Sequence, residues 1–212
     1  MEGKIAITKT GRYVTHGNPV SATHLIIALH GYGQLPAYFI RKFQHLDPEQ
    51  YFIIAPEGLH RFYLSGSSGR VGASWMTKEA RMDDIEDNIA YLNQLTTEII
   101  AKNTFKYHTL LGFSQGGATA ARWHEHGNLN VDNFVLWASV FPPDLELPKN
   151  QNAFIKSTNI FIVGDEDEYY KKADIETMSA HLALAQLNFE TIIFKGKHTI
   201  NPSGLSLLFN RI

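Results

Sequence analysis

The stretch Leu110-Leu111-Gly112-Phe113-Ser114-Gln115-Gly116-Gly117-Ala118 decides how the rest of the chain is read. An apolar run leads into a G-x-S-x-G pentapeptide, and a helical pattern leaves it. A serine in that pattern sits in a sharp strand-to-helix turn that lifts its hydroxyl above the sheet. A side chain two positions to either side would collide with neighbouring backbone, a demand that Gly112 and Gly116 meet. Gly117 and Ala118 allow the following helix to approach the sheet closely. Strand, turn and helix appear here in the order the pattern requires, which marks Ser114 as a candidate nucleophile.

Outward from this point, short apolar runs recur: Leu25 to Leu29, Phe52 to Ala55, Thr109 to Leu111, Phe134 to Trp137, Ile160 to Val163 and Thr191 to Phe194. Continuous rather than alternating apolar character fits parallel strands covered on both faces. Helical stripes lie between them. Ile85, Ile89, Leu92, Leu95 and Ile99 form one, with Asp83, Asp84 and Glu86 in its first turn, where acidic residues suit the helix dipole. Ile175, Met178, Leu182 and Ala185 form another. Strands alternating with helices predict a mostly parallel central sheet with helices on both faces; with the serine turn of Gly112 to Gly116 at a strand end, the expectation is the α/β-hydrolase fold. Ile5, Ile7, Tyr13 and Val14 flank Thr10-Gly11 and predict an N-terminal antiparallel hairpin on the sheet edge.

At 212 residues the chain suits a single domain, 1–212, with no repeat or linker. One connection is long: residues 57–81 hold Gly58, Gly66, Gly69 and Gly72 beside several aromatics. Two readings stand equally for it. It is a lid or pocket wall, with Leu59, Phe62, Tyr63, Trp75 and Met76 as candidate pocket residues, or a surface loop anchored by Trp75.

A formal net charge of −2 with no basic run argues against nucleic acid as a partner. The absence of cysteine excludes disulfides, zinc-thiolate sites and a cysteine nucleophile, and so favours serine. No apolar stretch approaches the ~20 residues of a membrane span, and the polar N-terminus lacks a signal-peptide pattern. The expectation is a soluble, cytoplasmic protein acting on a small molecule, with no cofactor or metal. Oligomeric state is not encoded in any local pattern.

A serine nucleophile needs donors for the oxyanion, a base and an acid. Leu29-His30-Gly31-Tyr32-Gly33 ends the first buried run, where this arrangement supplies one backbone N–H; the residue after the serine supplies the other. The candidate donors are therefore Tyr32 and Gln115, a pair whose single loss costs ~10²–10³ in turnover. His30, at the strand end beneath this loop, reads as a structural residue. Ten histidines compete for the base. The order nucleophile, acid, base leaves His124, His126, His181 and His198. The first three fall on helices, and His124-Glu125-His126 does not share a helix face as metal ligands would. His198 follows the last apolar run in Lys195-Gly196-Lys197-His198, where sites of open α/β sheets gather. For the acid, Gly164-Asp165-Glu166-Asp167-Glu168 offers four carboxylates. Asp167, three after the glycine, is preferred, with Asp165 as the alternative.

Taken together these motifs, over roughly residues 24 to 205, resemble the phospholipase/carboxylesterase family, which includes acyl-protein thioesterases and small bacterial carboxylesterases. Gly112-Phe113-Ser114-Gln115-Gly116-Gly117 is similar to that family's nucleophile motif, Leu29 to Gly33 to its oxyanion motif, Gly164 to Asp167 to its acid turn and Gly196-Lys197-His198 to its base loop. Ala55-Pro56-Glu57, Ser74-Trp75 and Ser139-Val140-Phe141-Pro142 resemble further landmarks. Gln34 stands where the family often has aspartate, Val163 where it has histidine, and Glu168-Tyr169-Tyr170 where it often has proline and apolar residues. The resemblance implies hydrolysis of carboxylic esters or thioesters, with Asp167 as the acid. A peptidase or acyltransferase with the same three residues, and a non-catalytic binding protein, are the alternatives.

Overall fold

All six apolar runs become strands of one sheet. The computed structural model describes residues 3–148, 151–184 and 186–212. In chain order the strands are β1 (Tyr13–His16), β2 (His24–Leu29), β3 (Tyr51–Pro56), β4 (His60–Tyr63), β5 (Val71–Ser74), β6 (Tyr107–Phe113), β7 (Asn133–Trp137), β8 (Thr158–Gly164) and β9 (Phe189–Phe194). Seven form the main sheet in the order β1-β3-β2-β6-β7-β8-β9. Neighbours from β3 to β9 run parallel, and only β1 is antiparallel, against β3. Every residue of β2 and β7 is buried, because both faces of the sheet are covered. Each fully buried Leu, Ile or Phe in such a layer contributes ~1.5–3 kcal/mol of hydrophobic stabilisation.

The helices are α1 (Pro36–Phe39), α2 (Arg81–Ile100), α3 (Gln115–His126), α4 (Lys172–Leu184) and α5 (Pro202–Phe209). Along α2, Ile85, Leu92 and Leu95 are buried, while Ile89 and Ile99 are half-buried. Asp84 in its first turn accepts from Thr77 N–H and pairs with His60. Along α4, Ile175 and Leu182 are buried; Ala185 and the side chain of His181 lie outside the described residues. Asn201 caps α5 by accepting from Gly204 N–H at 2.8 Å.

Two places differ from the local sequence pattern. The N-terminal antiparallel pair is present, but Val14 pairs with Ala55 of β3, and the arm carrying Ile5 and Ile7 is exposed and forms no strand. An edge strand finds more buried partner surface on the sheet than on a short polar arm. Residues 57–81 are not irregular throughout: β4 and β5 form an antiparallel hairpin with Tyr63 opposite Val71. This hairpin is stitched to the loop after β2, with Gly33 N–H donating to Ala73 O and Ala73 N–H to Gln34 O.

Candidate active site

The turn after β6 forces Ser114 to φ 53°, ψ −122°. L-residues rarely adopt this conformation, which costs about 1–3 kcal/mol unless the surroundings hold it. Here Ser114 N–H donates to Trp137 O at 2.9 Å and Ser114 O accepts from Gly117 N–H at 3.0 Å. The serine is half-exposed, while Gly112, Phe113, Gly116 and Gly117 around it are buried. A Cβ on Gly112 would fall 2.3 Å from Gly117 Cα, and one on Gly116 would meet the carbonyls of Leu29 and His30 at 2.5 Å. The strained turn is thus locked between β2 and α3 by the absence of side chains.

The loop after β2 closes in a tight turn from Gly31 to Gln34, with Gln34 N–H donating to Gly31 O. Its third position needs positive φ, and Gly33 supplies +73°. Gly31 N–H donates to the Gln34 side chain at 2.9 Å and Gly33 N–H to Ala73 O at 2.8 Å. Among the described residues the Tyr32 N–H alone of these four is left without such a partner. The turn lies close to the serine: a Cβ on Gly31 would sit 3.2 Å from Ser114 Cβ.

His30 supports this turn from below. It is fully buried; its Nε2 accepts from Gly58 N–H at 3.0 Å, so Nδ1 carries the proton and donates to Gly31 O at 2.8 Å. Burial pushes its pKa down and keeps the ring neutral. Trp75, also fully buried, donates its indole N–H to His30 O.

Across the sheet, His198 Nδ1 lies 2.8 Å from Asp167 Oδ2. The Asp167 side chain is wholly buried and that of His198 only 13% exposed. The other Asp167 oxygen accepts from Tyr169 N–H at 2.9 Å. A carboxylate facing Nδ1 selects the tautomer protonated there and leaves Nε2 free to act as a base. The His198 ring packs on Phe113, the residue before Ser114, with centroids 4.9 Å apart, and Tyr169 covers its edge at 4.6 Å. Trp137 holds the same loop through its indole N–H to Thr199 O. Asp165 is used differently: its Oδ1 accepts from Gly196 N–H at 2.9 Å and ties the loop after β8 to the loop after β9. Glu168 is held below the usual carboxylate range first by the bond from its own backbone N–H and then by the one it accepts from His198 N–H.

Ser114, His198, Asp167, Tyr32 and Gln115 therefore all lie just beyond the C-terminal ends of β2, β6, β8 and β9, with His198 against Asp167 and Phe113 and the Gly31 turn against Ser114. The five candidate pocket residues do not converge. Trp75 is a buried clamp, Phe62 stacks against Tyr32 at 5.0 Å, and Tyr63 is exposed. Leu59 lines a separate groove with Ile7 and Tyr91, and Met76 offers its carbonyl to the Gln115 side chain. His124 is buried between Phe134 and Phe154, with Nε2 on Ser157 Oγ at 2.9 Å.

Residue-type reasoning missed two side-chain amides. Gln115 Oε1 accepts from Trp75 N–H and its Nε2 donates to Met76 O, which fastens the serine turn to the strand end beyond β5. Gln34 performs the turn-closing role described above. Both are visible in sequence only as polar residues beside glycine motifs.

The sequence profile described as serine hydrolase (FSH1) matches residues 20–204. The chain belongs to that family. No curated protein matches this FSH1-family hydrolase significantly. Solved structures with the same fold include esterase PE8, 21% identical over 95% of this chain and 97% of that one, with a TM-score of 0.66. The acyl-protein thioesterase 2 of Zea mays is 16% identical over 95% and 97%, with a TM-score of 0.71. A phospholipase/carboxylesterase from Dyadobacter fermentans is 17% identical over 97% of both chains, with a TM-score of 0.61. The α/β-hydrolase fold and the likeness to the carboxylesterase group are in line with the resemblance read from the motifs. Among the described residues, no helix is long and apolar enough to cross a membrane.

Proposed function

We propose that this serine hydrolase cleaves small-molecule carboxylic esters or thioesters through an acyl-enzyme on Ser114. The observation that carries the reading is the 2.8 Å contact of His198 Nδ1 with buried Asp167, made by a ring that packs beside the strained Ser114 turn. In this reading His198 Nε2 takes the hydroxyl proton as Ser114 Oγ bonds to the carbonyl carbon. The tetrahedral oxyanion is held by the Tyr32 and Gln115 N–H groups, and Asp167 stabilises the imidazolium. Collapse of the intermediate breaks the bond to the alcohol or thiol, which leaves with the proton from His198. Water then attacks the acyl-enzyme by the same route and restores the free serine.

The test is hydrolysis of p-nitrophenyl esters from acetyl to palmitoyl by the wild type and by Ser114→Ala. Removal of the nucleophile should cost about 10⁶ in kcat, with the circular dichroism spectrum unchanged. Equal activity in the variant would remove Ser114 from the mechanism. The acyl length of highest kcat/KM then measures how far the pocket extends.

A further inference from the structure

A groove of about 700 Å³ runs between the turn at Gly33 and Gln34 and the tip of the β4–β5 hairpin, a size suited to a small-molecule ligand. Its wall is apolar at Leu35, Phe39, Leu64 and Val71, and Arg70 and Lys42 add two cations. Among the described residues no acidic one lines it, although the chain as a whole carries a net charge of −2.

Three contacts tie this groove to the reacting centre. Gly33 and Gln34 belong to the turn that presents the Tyr32 N–H. Phe39 packs on Phe113, the neighbour of Ser114, with centroids 6.2 Å apart. Lys42 Nζ donates to Thr199 Oγ1 at 3.0 Å, one residue beyond His198.

Of the seven arginines, Arg12 and Arg61 face Glu57, Arg122 pairs with Asp144, and Arg211 pairs with Glu190. Arg41, Arg70 and Arg81 have no ion pair among the described residues, and of these three Arg70 is the one that lines the groove. The Arg70 guanidinium has no hydrogen bond or ion pair among the described residues. A guanidinium fork on an apolar wall, with no carboxylate of its own, leaves its donors available to an oxyanion brought by a ligand.

We propose that the preferred substrate carries an anionic group, a carboxylate or a phosphate-like group, separated from the scissile carbonyl by an apolar chain. Arg70, assisted by Lys42, is the residue that selects it. The inference rests on the ester-hydrolase reading and narrows its substrate class. The apolar chain lies along Phe39, Leu64 and Val71, and the anion reaches the cationic side of the groove.

The experiment compares three p-nitrophenyl esters of matched chain length: those of octanoic acid, of suberic acid as the monoester, and of omega-phosphonooctanoic acid. The expected result is a kcat/KM for at least one anionic ester about tenfold above that of the octanoyl ester, expressed mainly in KM and diminished by added salt. Which anionic ester leads tells carboxylate from phosphonate. In Arg70→Gln the anionic-to-neutral ratio should fall to near one, and in Arg70→Glu below it. A ratio of one in the wild type, or a preference that survives Arg70→Glu, overturns the proposal.

The hydrolase reading fails separately, and would show as no difference between wild type and Ser114→Ala on any of the three esters. Binding of monomethyl suberate and methyl octanoate to Ser114→Ala, read by calorimetry, tests the groove without catalysis. Tighter binding of monomethyl suberate that is lost on adding Arg70→Gln upholds the anion site, and equal binding of the two overturns it.

Discussion

Glycine is abundant both in the serine turn and at the tip of the β4–β5 hairpin, and it is there for opposite reasons. At Gly112 and Gly116 an added Cβ would fall within 2.5 Å of backbone atoms from α3 or β2. At the hairpin tip, Gly66 has no atom within 4 Å of where a Cβ would go; its φ of +59° is what calls for glycine. The first stretch is a packing constraint that fixes one serine in one strained conformation. The second is a turn constraint on an exposed tip. The serine turn is thus the part of the molecule with no room to yield, and the hairpin tip the part with open space around it.

After loss of the nucleophile itself, the largest expected effect is on the rigid side. Asp167→Asn should lower kcat by about 10⁴, because the wrong imidazole tautomer then faces Ser114. Asp165→Asn, which alters only a loop tie, should cost far less. Steady-state kinetics of the two variants decides between them, and a reversed order would make Asp165 the acid. Next comes Gly112→Ala, where backbone meets backbone. Denaturant unfolding should show a loss of about 3 kcal/mol or more, and a stability near that of the wild type would contradict the packing argument.

A third effect is acid sensitivity of the scaffold. Burial lowers the pKa of His24 and His124 to about 4 and lowers that of His30. In the unfolded chain these groups titrate near ~6.5. As pH falls through that value the unfolded chain takes up protons first, so stability is full above it and is lost as pH approaches about 4. The loss is on the order of 2–3 kcal/mol for each of His24 and His124. It is measured as the unfolding midpoint in denaturant against pH, and a flat profile would contradict it. His124→Phe, which keeps the packing between Phe134 and Phe154, should reduce the slope. Smallest is Gly66→Ala at the hairpin tip. It meets no neighbour and carries only the strain of positive φ, about 1 kcal/mol; a cost as large as that at Gly112 would erase the contrast between the two regions.

Much of the fold was legible because its signals are local. Apolar runs without alternation declare covered parallel strands, and the glycine spacing around Ser114 declares a crowded turn. Chain order cut ten histidines to four, the loop beyond the last apolar run singled out His198 among them, and the structure brings it against Asp167 rather than Asp165. The illegible parts depend on contacts between distant residues. Gln115 fastens to Trp75 and Met76 about 40 positions away, and Trp137 reaches Thr199 across 62. The β4–β5 hairpin was hidden because its glycines mimic an unstructured loop, whereas its pairing depends on an anchor at Gln34 and Ala73. Aromatic content pointed to Phe62, Tyr63 and Trp75 as pocket residues, while the same segment also brings Leu64, Gly69, Arg70 and Val71 to a groove beside Gly33 and Gln34, a juxtaposition that only the folded hairpin creates.

The most direct test of the account is labelling of the folded protein with a fluorophosphonate, followed by peptide mass spectrometry. The account predicts a single phosphonyl adduct on Ser114, absent in Ser114→Ala and formed far more slowly in His198→Ala. An adduct on another residue, or none on a protein shown to be folded, would contradict it.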